Sequence, residues 1–203
     1  MSRMPSSIKA PFRPEKPILA IPERGAVAVI DAASGDVLYK RQREPDATSR
    51  PSSAFGLCAF SPDGDLLAIS LGETAVRVLD AESGDEKFAV EGHSRPVTDV
   101  VFSPDGKWLA SSDAAGEVRV WDLETQECTY TWNSGGGAIW EVFFLGDGPE
   151  QMACVTQHGE EAKSNAWANP RRLIFGFRGE TVNGELRVTA VTNASPAQKA
   201  GLR

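Results

Sequence analysis

Phe60-Ser61-Pro62-Asp63-Gly64 returns 42 residues later as Phe102-Ser103-Pro104-Asp105-Gly106, and Phe144-Leu145-Gly146-Asp147-Gly148 follows after another 42. Ser-Pro-Asp-Gly suits a tight turn: Pro presets φ at the second position, Asp bonds nearby backbone, and Gly accepts a positive φ. A second element keeps the same step, Val76-Arg77-Val78-Leu79-Asp80 becoming Val118-Arg119-Val120-Trp121-Asp122. Its earlier copy, Val27-Ala28-Val29-Ile30-Asp31, stands 49 residues before the second, and the extra seven residues fit in the basic, polar segment from Lys40 to Ser53. A fixed period of this length is the mark of a repeat architecture.

Working outward from the turn, Val97, Val100 and Phe102 supply the apolar contacts of one strand, and Trp108-Leu109-Ala110 begins the next. Val118 and Val120 alternate with Arg119, so a third strand is expected to bury one face and keep the other partly wet. Asp122 opens a turn into an outer strand from Glu127 to Trp132. Four short antiparallel strands in about 42 residues make one propeller blade. Nineteen Gly and thirteen Pro fit a chain with many turns, and helical periodicity is scarce, so the fold class is all-β.

Gly92-His93, Phe102 to Gly106 and Trp121-Asp122 stand in the order and at the spacing of the WD40 family, which residues 18–168 resemble. The resemblance implies a partial WD40 β-propeller of about four blades, in which His93 and Trp121 meet in a buried hydrogen-bond network within one blade. The family's Asp six residues before the strand Trp is Ala115 here, and Asp113, two residues earlier, is its imperfect substitute. Leu79 and Ile30 replace the Trp in the other copies. In the fourth, Gln151 to Thr156 reads as a strand, Gln157 to Asn169 is polar and poorly patterned, and Trp167 is the relic of the strand Trp.

In the last segment Leu186 to Val191 alternates as a strand, and residues 193–202 read as a short helix capped by Ser195, with Pro196 at its first position and Gly201 at its stop. This arrangement resembles the first half of a bacterial-type PDZ domain. The resemblance makes Phe175-Gly176-Phe177 the carboxylate-binding loop and implies β-strand addition of a peptide. A hairpin plus terminal helix packed on the propeller is the plainer alternative. Three segments are therefore expected: a Pro-rich, disordered extension over 1–17, blades over 18–169, and a truncated PDZ-like half over 170–203.

The chemistry classes are narrowed by what the pattern lacks. Residues 1–169 hold 15 Lys/Arg against 26 Asp/Glu, while 170–203 hold 6 against 2. An acidic body argues against a nucleic-acid partner. Cys58, Cys128 and Cys154 have no metal-ligand spacing, only two His are present, and no apolar run suits a bilayer, so no metal, cofactor or membrane partner is expected. The N-terminus lacks the apolar core of a signal peptide, and a cytoplasmic location is the expectation. Ser134 beside Gly135-Gly136-Gly137 falls, by repeat register, on Gly92-His93 and reads as an inter-blade loop, with no GxSxG elbow. His158 reads as a solvated loop residue, and Lys40 to Glu44 as a solvated connector.

The functional expectation is a noncatalytic scaffold for a protein or peptide partner. The alternative is the regulatory part of a larger PDZ-containing enzyme such as a trypsin-like protease. Register places Arg95 and Trp140 at the entrances of innermost strands, on the rim where propellers bind, and Arg and Trp dominate interface energies. Trp140 takes the place of Thr98; packing between blades is its other possible role. Since propellers have roughly four to eight blades, an open arc with self-association through its exposed edges is also expected.

Overall fold

The computed structural model describes residues 13, 16–43, 56–133, 138–145, 148–149, 152–158, 161–167, 177–182 and 185–191. Strands account for all the regular structure among them, and every pairing is antiparallel. Blade 1 holds β1 (Ile18–Glu23), β2 (Ala26–Asp31) and β3 (Val37–Gln42). Blade 2 holds β4 (Leu57–Phe60), β5 (Leu66–Ser70), β6 (Val76–Asp80) and β7 (Glu86–Val90) in that spatial order. Blade 3 repeats it with β8 (Val97–Phe102), β9 (Trp108–Asp113), β10 (Glu117–Asp122) and β11 (Cys128–Asn133). Blade 4 holds β12 (Ile139–Phe144), β13 (Met152–His158) and β14 (Glu161–Trp167), and β15 (Phe177–Val182) pairs with β16 (Glu185–Val191).

The two complete blades are closed by identical turn chemistry. Ser61 Oγ donates to Asp63 Oδ1 at 2.5 Å and accepts the Leu66 amide at 2.9 Å. Ser103 Oγ does the same with Asp105 at 2.6 Å and the Trp108 amide at 2.9 Å. Gly64 and Gly106 end these turns at φ of 76° and 72°, a conformation that glycine adopts without a Cβ penalty. At the other recurring turn, Asp80 Oδ1 accepts the amides of Glu82 and Ser83, and Asp122 Oδ1 those of Glu124 and Thr125. The recurring Asp thus organises a turn in each blade.

The apolar core lies between blades as three layers. Leu67, Ile69 and Leu79 fill the layer between blades 1 and 2 with Val27 and Val29. Ala68, Val76 and Val78 turn the other way, toward Val97, Val100, Leu109 and Trp121 of blade 3. Ala110, Val118 and Val120 then meet Ile139, Val142, Met152 and Cys154 of blade 4. A middle strand therefore buries both faces, which is why β5 and β9 carry near-continuous buried runs rather than alternation. In β10 Val118 and Val120 are buried while Glu117 and Arg119 stay partly exposed, as the alternation leads one to expect, and only Trp121, 3% exposed, closes the other face.

Three sequence expectations shift. Lys40 and Arg41 lie within β3 rather than in a solvated connector; Lys40 pairs with Glu23 at 2.5 Å, and Arg41 Nε donates to the Gly84 carbonyl at 2.7 Å. Glu161–Trp167 forms a strand although its pattern is poor, and His158 ends β13 opposite Glu161, because backbone pairing supplies what side-chain periodicity does not. Arg13 belongs with blade 1 rather than with a disordered extension. Its amide donates to Ile18 O at 2.8 Å, just as Ser61 donates to Leu66 O and Ser103 to Trp108 O. Instead of closing its own turn, the Arg13 side chain crosses to blade 2, where Nε donates to Gly64 O at 2.6 Å and the carboxylates of Asp65 and Glu82 lie 3.6 and 3.9 Å away.

The helix expected over residues 193–202 lies outside the described residues, as do Phe175 and Gly176 of the expected carboxylate loop. Phe177 begins β15, and the expected strand at Leu186 to Val191 is β16. The described part of this tail is a hairpin, and nothing in it is specific to a PDZ domain.

Candidate functional site

Of the residues singled out by sequence, His93, Asp113 and Trp121 meet in a polar network inside blade 3, while Arg95 and Trp140 are exposed at the starts of separate blades. The network is built on three segments. The loop before β8 carries His93, β9 carries Ser111 and Asp113, and β10 carries Trp121. Trp121 Nε1–H donates to Ser111 Oγ at 2.9 Å, and His93 Nε2 lies 2.7 Å from the same oxygen. His93 Nδ1 faces Asp113 Oδ2 at 3.4 Å. The His93 and Trp121 rings meet edge-on, with centroids 6.4 Å apart.

Donor and acceptor counting fixes the direction of the Trp121–Ser111 bond. The indole can only donate, so Ser111 Oγ accepts from it and shares a second hydrogen bond with His93 Nε2, whose direction the imidazole tautomer sets. Asp113 also holds the β9–β10 turn, because its Oδ1 accepts the amides of Ala115 and Glu117 at 2.9 and 3.0 Å. All four side chains are buried. The His93 side chain is 1% exposed and the Asp113 side chain 0%. Sequence reasoning missed Ser111. Its signal was available: the copy that carries the strand Trp has a hydroxyl at that position, where blade 2 has Ile69.

Gly92 completes the packing above the network. Its φ is 144°, and a Cβ there would collide with Arg119 Nη1. That guanidinium lies 5.9 Å from the Trp121 ring centroid, in cation–π range, and also pairs with Glu117. Glycine therefore lets the loop close over a stacked Arg–Trp pair.

Burial holds the His93 pKa below its ordinary 6.5; Asp113 and Glu117 oppose this, and Arg119 adds to it. The folded chain thus favours the neutral ring, whereas the unfolded chain binds a proton more readily. Stability from this group is full above pH 6.5 and lost as pH falls below it. Carboxylates act lower. Asp80 is held at about 2 by the Ser83 and Glu82 amides, and the Ser61 hydroxyl lowers Asp63. Urea midpoints measured across pH should therefore fall first below about 6.5 and again below about 4, where ordinary carboxylates titrate. In His93→Gln the first decline should vanish and the second remain; an unchanged first decline would remove His93 as its cause.

The rim residues are arranged differently. Thr98 and Trp140 occupy matching β-bulges at the starts of β8 and β12, between Val97 and Asp99 and between Ile139 and Glu141. Thr98 Oγ1 lies 3.1 Å from Ser112 Oγ, so it is tied to its own blade. Trp140 is 38% exposed. Arg95, five residues before Val100 in the loop that carries His93, is exposed as well. Asp99 links the two strands by accepting the Val142 amide at 2.9 Å.

Among the described residues there is no group able to hold a metal, and no helix long and apolar enough to cross a membrane. The three cysteines are not in disulfides, and burial pushes the Cys58 thiol to about 12, far from a reactive thiolate.

Residues 84–122 match the family model for the WD domain, G-beta repeat, a span that contains the whole His93–Trp121 network. No curated protein sequence matches the chain significantly. Among solved structures, the one titled "Structure of U3-55K" aligns with a TM-score of 0.70 at 18% identity, over 83% of this chain and 50% of that one. The likeness establishes a shared fold. The chain spans half the length of that relative.

Proposed function

We propose that the chain is a noncatalytic protein-interaction scaffold that binds through the rim of its innermost strands, with Trp140 and Arg95 as anchors. The single observation that carries this is Trp140. A bulge presents a large aromatic to solvent at the site where the sibling blade keeps a small, internally bonded Thr98. Bulges commonly re-aim a side chain at functional sites, and exposed Trp is the residue type most enriched at binding hot spots. WD40 domains generally bind protein partners, which agrees with the repeat match.

Capture of partners on the immobilised chain, followed by affinity measurement with the recovered protein, tests this. Trp140→Ala should weaken binding by roughly 30-fold, the effect of a hot spot worth about 2 kcal/mol, and leave urea unfolding unchanged. Equal affinity for wild type and variant would end the assignment of Trp140. The three-segment division, the peptide-binding role of Phe175-Gly176-Phe177 and the link to a PDZ-containing protease rest on sequence alone, and they are separate proposals.

A further inference from the structure

We infer that Asp99 is a positioning residue for the Trp140 anchor: from blade 3 it holds the backbone of the bulge in blade 4 that turns the indole to solvent. The inference rests on the reading of Trp140 as a binding residue. Asp99 Oδ2 accepts the Val142 amide at 2.9 Å, a bond that crosses from β8 to β12. Val142 stands two residues beyond Trp140, which is the residue left out of the register between Ile139 and Glu141. A bulged residue has no ladder partner, so its direction is set by whatever fixes the backbone on each side. On one side Ile139 is fully buried; on the other the Asp99 carboxylate holds Val142, itself 1% exposed.

The sibling bulge shows why a separate holder is needed. Thr98 ties down its own bulge, its Oγ1 lying 3.1 Å from Ser112 Oγ within blade 3. Trp140 takes the same position with an indole in place of the hydroxyl, and 38% of it is exposed. A side chain kept outside for a partner does not fasten its own backbone, and the neighbouring blade's carboxylate does so instead. One repeat earlier, Leu57 stands at the position of Asp99, and an apolar side chain offers β8 no such acceptor. The carboxylate therefore occurs where the following bulge bears Trp and is missing where it bears Thr. A hydrogen bond from a backbone amide to an ionised carboxylate is of the stronger kind. Fixing the bulge in advance lowers the cost of ordering the anchor when a partner arrives.

Magnetic resonance on the full nitrogen-15-labelled chain, with no partner present, checks this. Trp140→Phe identifies the Trp140 indole signal among those of the five tryptophans. In Asp99→Ala the Val142 amide should exchange with solvent roughly tenfold faster, the effect of losing a hydrogen bond to a charged group. The Trp140 indole signal should shift or broaden, while that of Trp121 stays in place as the mark of an intact blade 3. Asp99→Asn retains an acceptor oxygen and should return both signals toward wild type. Asp99→Leu, the residue of blade 2, serves as the second variant should Asp99→Ala move the Trp121 signal. A Trp140 signal that stays put while the Val142 amide opens overturns the proposal, as does an unchanged Val142 exchange rate. An Asp99→Asn variant that matches Asp99→Ala overturns it too. Equal partner affinity in Trp140→Ala would end the binding reading and leave these signals unaltered, so the two failures are distinguishable.

Discussion

Trp121→Ala should lower the free energy of unfolding by about 4 kcal/mol, the range seen when a buried large aromatic is truncated. The ring is 3% exposed in the layer between blades 2 and 3, and it carries the Arg119 guanidinium on one side and the Ser111 hydroxyl on its edge. Alanine leaves a cavity, frees Arg119 from its stacking partner and removes the indole donor from Ser111. Trp121→Phe keeps most of the packing and loses the Nε1–H, so it should cost nearer about 1 kcal/mol. Urea denaturation of both variants checks the pair. Since whole domains are stable by only about 5–15 kcal/mol, the alanine variant should unfold at a markedly lower urea concentration. A loss below about 1 kcal/mol for Trp121→Ala, far under the usual cost of such a truncation, would mean that the blade 2–blade 3 layer is not cooperatively packed.

Ser111→Ala should cost about 3 kcal/mol, and Ser70→Ala almost nothing, although both serines are 1% exposed or less on equivalent middle strands. Removing Ser111 Oγ leaves two buried groups without a partner, the Trp121 Nε1–H and His93 Nε2. Each such loss costs roughly 1–3 kcal/mol. Ser70 Oγ is buried without a hydrogen-bond partner, so its removal relieves a desolvated hydroxyl instead of orphaning its neighbours. Parallel urea titrations give the contrast directly. Equal destabilisation by the two substitutions would show that volume, and not the hydrogen-bond chain, sets the cost.

Blade 2 shows what replaces this network. At the positions of Ser111, Asp113 and Trp121 it has Ile69, Leu71 and Leu79, all 2% exposed or less. The polar set is exchanged as a set for an apolar one, a swap that proteins tolerate far better than the loss of one member. Blade 2 thus departs from the repeat pattern without losing its core. In blade 4, register puts Trp167 opposite Met152, as Trp121 stands opposite Leu109, so the late Trp does occupy the strand-Trp position. Cys154 there takes the place of Ser111 and is buried.

The sequence by itself determined the repeat, the turns and the strand order, because a Ser-Pro-Asp-Gly turn and an Asp-led turn are closed by bonds within a few residues. Local chemistry of that kind is written in local sequence. Its resemblance to the WD40 repeat also pointed to His93 and Trp121, whose motifs stand at the spacing of that family. What only the tertiary structure decided was everything that crosses between blades or strands: the alternate burial of middle strands on both faces, Ser111 as the hub between His93 and Trp121, and Gly92 clearing Arg119. Arg13 is the plainest case. Its backbone repeats a turn that the sequence could suggest, but its side chain is held by a carbonyl and two carboxylates 51 to 69 residues away, at Gly64, Asp65 and Glu82. Those partners converge only once two blades have packed, so no spacing along the chain could announce them.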